Sequence, residues 1–270
     1  MAKYSGFITN GGGQYEPIPH FEKPTKLPPG FYQVKTKGFG NDIFFNKIEI
    51  QHDTIVELPS DEYTTIVQEM EHFLKPETKQ KFKECGFTYK RSTLLYGVPG
   101  TGKTVIASRI ANKIVECGGV VFFDPSPSLM HDVFQMMESI QPETTIGIIY
   151  EELDDWVDDD ESELLSILDG EIQKDNIITL CTTNYIDKIP QRVLRPGRMS
   201  TLLEIKAPNT ETRRAFLKTK FSLHDCEMDE WVVKTKDLTI DEIAECVKGV
   251  YCLGNSLDTM VERIKKVKQK

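Results

Sequence analysis

The stretch Gly97-Val98-Pro99-Gly100-Thr101-Gly102-Lys103-Thr104 leaves this chain few folds to choose from. It fits G-x-x-x-x-G-K-[ST], a loop whose backbone wraps phosphate oxygens. Glycines at the required places let successive N–H groups turn inward without a Cβ in the way. Lys103 can reach the β- and γ-phosphates of a nucleotide, and the Thr104 hydroxyl can ligate Mg²⁺. The flanks supply the context that the motif needs. Ser92-Thr93-Leu94-Leu95-Tyr96 reads as a short buried strand, while Val105, Ile106, Ala107, Ile110, Ala111 and Ile114 have the apolar spacing of a helix. Strand, glycine loop and helix N-terminus in that order aim free N–H groups and the helix dipole at an anion. The expected fold is therefore α/β, a P-loop parallel sheet with flanking helices, and Gly97 through Val105 are its expected nucleotide-binding residues.

The next apolar strands each lead to a polar tip. Val120-Val121-Phe122-Phe123-Asp124 is followed by a helix that Ser128 is expected to cap, carrying Leu129, Val133, Met136, Met137 and Ile140. Ile146-Gly147-Ile148-Ile149-Tyr150 ends in Glu151, Glu152, Asp154 and Asp155. Carboxylates just past a buried strand lie at the carboxyl edge of a parallel sheet, beside the phosphate loop. A ligand for a Mg²⁺ water and a base for an attacking water belong there. The later acids Asp158, Asp159, Asp160, Glu161 and Glu163 read as a solvated helix start. Ile177 to Thr183 is a further strand, with Asn184 at its tip. The turn Arg195-Pro196-Gly197-Arg198 then displays two planar, always-charged guanidinium groups at a surface.

Outside this centre the chain divides in three. Residues 1–58 are rich in Gly, Pro and aromatics and read as loops and turns with one edge strand, then strands around Phe31–Lys35 and Ile43–Ile50. Their aromatics form either a small core or an adaptor surface. Ser60-Asp61 opens a helix, and residues 59–207 make the nucleotide-binding unit. From 208 to 270 the pattern is helical, with a capping box at Thr239-Ile240-Asp241-Glu242 and a last helix from Ser256. A net charge of −9 argues against a broad nucleic-acid footprint. Six scattered cysteines without C-x-x-C pairs argue against zinc and for reduced thiols in a cytoplasmic protein. No apolar run approaches membrane-spanning length.

Taken in order, Leu94-Leu95-Tyr96-Gly97, Gly102-Lys103-Thr104, Leu168-Asp169-Gly170, Thr182-Thr183-Asn184 and Leu194-Arg195-Pro196-Gly197-Arg198 resemble the AAA (AAA+) branch of P-loop ATPases over roughly residues 55–265. Tyr89-Lys90-Arg91, the short segment Asp124–Glu143 and Glu151 in place of the commoner Asp are similar to the subgroup of the mitochondrial Rieske-protein translocase, the complex III assembly chaperone. That resemblance implies an AAA+ core with a C-terminal helical lid. It implies ATP and Mg²⁺ as ligands, Thr104 and Glu151 at the metal, Glu152 polarising the attacking water and Asn184 orienting it. Arg195 and Arg198 would be fingers reaching the next subunit of a homo-oligomeric ring, commonly a hexamer. The subgroup's N-terminal membrane helix has no counterpart here, so its membrane role is not carried over. Asp124-Pro125-Ser126-Pro127-Ser128-Leu129-Met130 holds no aromatic-hydrophobic-glycine triplet, so threading of unfolded chains is not expected. The region near Gly254-Asn255-Ser256, where the resemblance implies a nucleotide-facing lid position, lacks an Arg.

Three functions follow from these residues. One is an ATP-hydrolysing ring that remodels or moves an unidentified protein partner. Another is a nucleotide-switched scaffold with negligible hydrolysis. The third is a nucleic-acid remodeller, which the acidic balance disfavours.

Overall fold

The structure, a computed structural model, describes residues 6–18, 26–37, 42–49, 60–169, 175–220 and 225–268. Its centre is β5 (Lys90–Tyr96), in which Ser92 to Leu95 are all buried. β8 (Ile177–Thr183) lies parallel on one side of it and β9 (Thr201–Glu204) parallel on the other. Beyond β8 come β7 (Ile146–Tyr150) and β6 (Val120–Phe123), again parallel. Such strands are covered on both faces and therefore read as continuous apolar runs. Successive residues still alternate between faces. Leu94, Val120, Phe122, Ile148 and Tyr150 enter one core, while Leu95, Val121 and Ile149 enter the other.

Helices supply the outer layers. α1 (Asp61–Phe73) and α3 (Lys103–Glu116) cover one face through Ile66, Met70, Phe73, Ile106, Ile110 and Ile114. α1 starts as its sequence requires, the Ser60 hydroxyl accepting the Tyr63 N–H at 3.1 Å. α2 (Pro76–Glu84) has its proline in the first turn, where no N–H is needed. The opposite face carries α4 (Pro127–Ile140) and α5 (Leu153–Asp169). Ser126, not Ser128, precedes α4, because Pro127 supplies the preset φ of a first helical residue.

The N-terminal residues extend the same sheet. β3 (Gly30–Lys37) runs parallel to β6, and β4 (Asp42–Ile48) pairs antiparallel with β3. β1 (Gly6–Gly11) and β2 (Gln14–Ile18) form a hairpin beyond β4, giving the order β1-β2-β4-β3-β6-β7-β8-β5-β9. The single edge strand expected before residue 30 is thus a two-stranded hairpin. Gly12 and Gly13, both at positive φ, make a turn whose twist suits paired strands. Phe7, Tyr32 and Phe45 are buried, with Phe45 5.5 Å from the Phe122 ring, so these aromatics are core. The expected boundary at residue 58 and the Gly170 helix end lie outside the described residues, as do the side chains of Asp158 and Asp159.

The C-terminal helices α6 (Thr210–Lys220), α7 (Asp225–Lys234), α8 (Ile240–Val247) and α9 (Leu257–Lys268) have a core of their own, built on Leu217, Trp231, Ile243, Cys246 and Met260. Glu242 closes the capping box by accepting the Thr239 N–H at 2.7 Å. Among the described residues, no helix is long and apolar enough to cross a membrane.

Candidate functional site

The phosphate-type loop sits where the strand order reverses. After β5 the chain leaves to form β6, three positions away, and returns strand by strand until β8 lies beside β5. Ligands of open α/β sheets bind outside the carboxyl ends at such a point. Two glycines make the loop possible. A Cβ on Gly97 (φ +142°) would collide with the Ile205 carbonyl, and one on Gly100 (φ +76°) would lie 2.8 Å from Thr239 Oγ1. Lys103 is only 7% exposed, and its Nζ donates to the Gly97 and Val98 carbonyls at 2.9 Å each. Burial pulls its pKa down, while Asp241 and Glu152 push it back up. Thr101 Oγ1 donates to the Val98 carbonyl at 3.0 Å and braces the loop from within.

On one side of the loop lies a cavity of about 720 Å³, into which Pro99, Gly100 and Gly102 to Val105 face. Parallel neighbours end at the same edge, so Asp124 from β6, Glu151 and Glu152 from β7, and Asn184 from β8 all line it. Both turns after β6 and β7 put a carboxylate residue in the left-handed region, Asp124 at φ +43° and Glu152 at φ +49°. Such conformations cost about 1–2 kcal/mol for a residue with a Cβ. They persist where surrounding contacts fix them, and they cluster at functional sites. Backbone-to-side-chain bonds hold both turns. Glu151 N–H donates to Asp124 Oδ1 at 2.9 Å, and Glu152 N–H donates to Thr182 Oγ1 at 3.3 Å. Burial pushes the Asp124 carboxyl up to about 6, against the opposing pull of its bond to Glu151 N–H.

The acids after β7 divide by role. Asp155 lines the cavity, but Asp154 is buried beneath it, accepting the Thr183 hydroxyl at 2.6 Å and facing Lys188 at 3.6 Å. Asp154 therefore braces the strand tips. Glu151 Oε1 is buried and has no hydrogen-bond partner. An orphaned carboxylate oxygen and the Thr104 hydroxyl, from residues lining the same cavity, are hard oxygen donors of the kind Mg²⁺ prefers. Among the described residues no three His, Cys, Asp or Glu side chains converge on one point. A Mg²⁺ ion there would need substrate oxygens and water to complete its shell, as is usual for this cation with phosphates.

The arginines stand elsewhere, since neither Arg195 nor Arg198 lines this cavity. Arg195 is exposed; its carbonyl accepts the Arg198 and Met199 N–H groups, while its guanidinium makes no hydrogen bond or ion pair with the described residues. Arg198 is tied down: its guanidinium grips both oxygens of Asp169 and also donates to the Arg192 carbonyl. Arg192 in turn pairs with Glu161.

A second cavity, about 670 Å³, opens on the other side of the loop helix. Tyr63, Ile106, Phe216, Ile240, Ala244 and Val247 give it an apolar wall, and Thr101, Gly102 and Val105 form its border with the loop. Its dimensions and lining suit a flat heterocycle. Two site residues escape a reading of local pattern. Asp124 reads as a strand tail, and Asp241 as a helix cap, yet Asp241 lines both cavities. The lid residues facing the loop come from α8, not from the neighbourhood of Gly254 to Ser256, which lines neither cavity.

Comparison with known proteins agrees with this geometry. Residues 93–207 match the family described as "ATPase family associated with various cellular activities (AAA)". The chain is similar to proteasome-activating nucleotidase 2 of Haloferax volcanii, 29% identical over 63% of this chain and 44% of that protein. It is similar to 26S protease regulatory subunit 6A of Caenorhabditis elegans, 27% identical over 87% of this chain and 61% of that protein. A cell division cycle protein 48 homolog of Archaeoglobus fulgidus is 27% identical over 62% of this chain and 24% of its own length. The chain thus spans between about a quarter and three fifths of the length of these relatives. On this sheet, this loop and these matches, residues 93–207 are similar to the AAA family of P-loop ATPases.

Proposed function

We propose that the chain binds ATP across the two cavities and hydrolyses it, with Mg²⁺, to drive work on a protein partner. One observation carries this reading: a single glycine loop separates a carboxylate-lined cavity from an apolar one, matching a ligand with a polyanionic tail and a flat base. Lys103 would exchange the Gly97 and Val98 carbonyls for phosphate oxygens, while the loop N–H groups hold the remainder. Thr104 and the orphaned Glu151 oxygen would hold Mg²⁺, which screens phosphate charge and polarises the scissile bond. Glu152, on its strained turn, would take a proton from the attacking water, and Asn184 would orient that water.

Arg195 supports an oligomeric reading. An exposed guanidinium without a partner among the described residues is suited to a neighbouring subunit's nucleotide, and such fingers contribute about 10³–10⁵ in turnover. Arg198 could join it only after leaving Asp169. We therefore favour a ring, commonly a hexamer in similar ATPases, with residues 1–58, 59–207 and 208–270 as partner-facing module, catalytic unit and lid. The features at Tyr89 to Arg91, Asp124 to Glu143 and Glu151 favour the Rieske-translocase subgroup within the branch. The direct passage from β6 into α4 through Asp124 to Ser126 leaves little chain for a pore loop, which favours remodelling over threading.

Phosphate release by wild type and Glu152→Gln, at concentrations where the chain assembles, tests the reading. Loss of about 10²-fold or more in turnover with nucleotide binding retained supports it. Equal turnover in the two proteins overturns it and favours the scaffold.

A further inference from the structure

Asp241 stands where a nucleotide-binding lid has least use for negative charge. α8 starts with two acids in its first turn, Asp241 and Glu242. Glu242 turns back on its own helix, accepting the Thr239 N–H and pairing with Lys268 at 2.8 Å. Asp241 instead meets the phosphate loop. Its N–H donates to the Gly100 carbonyl at 3.2 Å, and its Oδ2 lies 3.2 Å from the position a Gly100 Cβ would take. It lines both cavities, and with Glu152 it acts electrostatically on Lys103. Among the described residues the polar cavity already holds Asp124, Glu151, Glu152 and Asp155 against one cation, Lys103. Glu151 and Glu152 have work to do on Mg²⁺ and water in the reading above, whereas Asp241 has no role there beyond its contact with Gly100.

The geometry points to Asp241 as a lid-borne gauge of phosphate charge, a specificity residue that weakens nucleotide binding in proportion to the negative charge in the cradle. With the loop free of anion, the carboxylate acts on Lys103 electrostatically and the α8 start docks on Gly100. Phosphate in the cradle takes over Lys103 and faces Asp241 with like charge. The repulsion grows from diphosphate to triphosphate and falls on the same residues that dock the lid. The lid contact is therefore most strained with triphosphate bound and is relieved once the terminal phosphate has left. The alternative role, an acid that only steadies the α8 N-terminus, would affect folding and leave nucleotide selectivity unchanged.

This inference rests on the nucleotide site proposed above, and one titration separates the two. Affinities for Mg²⁺–ATPγS and Mg²⁺–ADP are measured for wild type, Asp241→Asn and Glu262→Gln, the last removing a charge on α9 outside both cavities. Asp241→Asn is expected to tighten ATPγS by about fivefold or more, the size of like-charge repulsion over several ångströms near a protein surface. ADP should tighten less, and Glu262→Gln should match wild type. The gain should shrink as KCl rises, since added salt screens charge and not packing. Wild type binding neither nucleotide overturns both readings. Wild type binding both while Asp241→Asn stays within twofold, weakens, or changes equally for the two ligands overturns this inference alone.

Discussion

The two cavities meet at Gly102, Val105 and Asp241 and are built in contrasting ways. The polar one takes its chemistry from the tips of β5, β6, β7 and β8, four parallel strands hydrogen-bonded in one sheet. Its carboxylates are fixed by backbone contacts such as Glu151 N–H to Asp124 and Glu152 N–H to Thr182. The apolar one is assembled from α1, α3 and the lid helices, which belong to separate hydrophobic cores. A shift of the lid would therefore reshape the apolar cavity while leaving Glu151, Glu152 and Asn184 in register. On the proposed reading, chemistry would belong to the sheet edge and affinity to the joint with the lid helices.

The sharpest test of that division is to damage each side separately. Lys103→Ala should cost about 10²-fold or more in turnover, because it removes the one cation lining the polar cavity among the described residues; phosphate release measures it. Ala244→Phe fills the apolar cavity instead. It should weaken ATP and ADP alike by about tenfold while leaving turnover at saturation close to wild type, which a binding titration beside a saturation curve would separate. A fall in saturated turnover as large as that of Lys103→Ala would break the comparison.

Gly100→Ala strikes the shared border. At φ +76° a Cβ costs about 1–2 kcal/mol, and here it also presses on Thr239 Oγ1, so the melting temperature should fall and the lid should undock from the loop. The smallest effect is expected at Asp124. Its carboxyl is raised to about 6, so the fold holds a proton that the unfolded chain releases at lower pH. The sign follows from linkage: this group's contribution is fully favourable below the unfolded pKa and is lost as pH rises toward 6. Asp124→Asn keeps an acceptor for Glu151 N–H but removes the titration. Its stability relative to wild type should therefore rise between pH 4 and pH 7, by about 1 kcal/mol after discounting for solvent screening, as read by denaturant melts in EDTA.

Much of the polar side was legible because its signals are local. Glu151 and Asn184 each follow an apolar strand directly, Lys103 follows β5 through the glycine loop, and parallel strands bring their tips together without further information. Asp124 follows a strand in the same way, but its bond to Glu151 depends on β6 lying beside β7, a pairing across 27 residues. The apolar side had no such signal. Tyr63 and Ala244 are ordinary positions on amphipathic helices, and only the folding of α8 back over Gly100 joins them in one cavity. Arg195 and Arg198 look alike in sequence; their difference lies in Asp169, 29 residues earlier at the end of α5.

A structure of the chain with Mg²⁺ and ATPγS tests the central claim most directly. The account predicts the terminal phosphates on Lys103 with Mg²⁺ between Thr104 and Glu151, and the base against Ile106, Ile240 and Ala244. A base outside the apolar cavity, or phosphates bound away from Lys103, would contradict it.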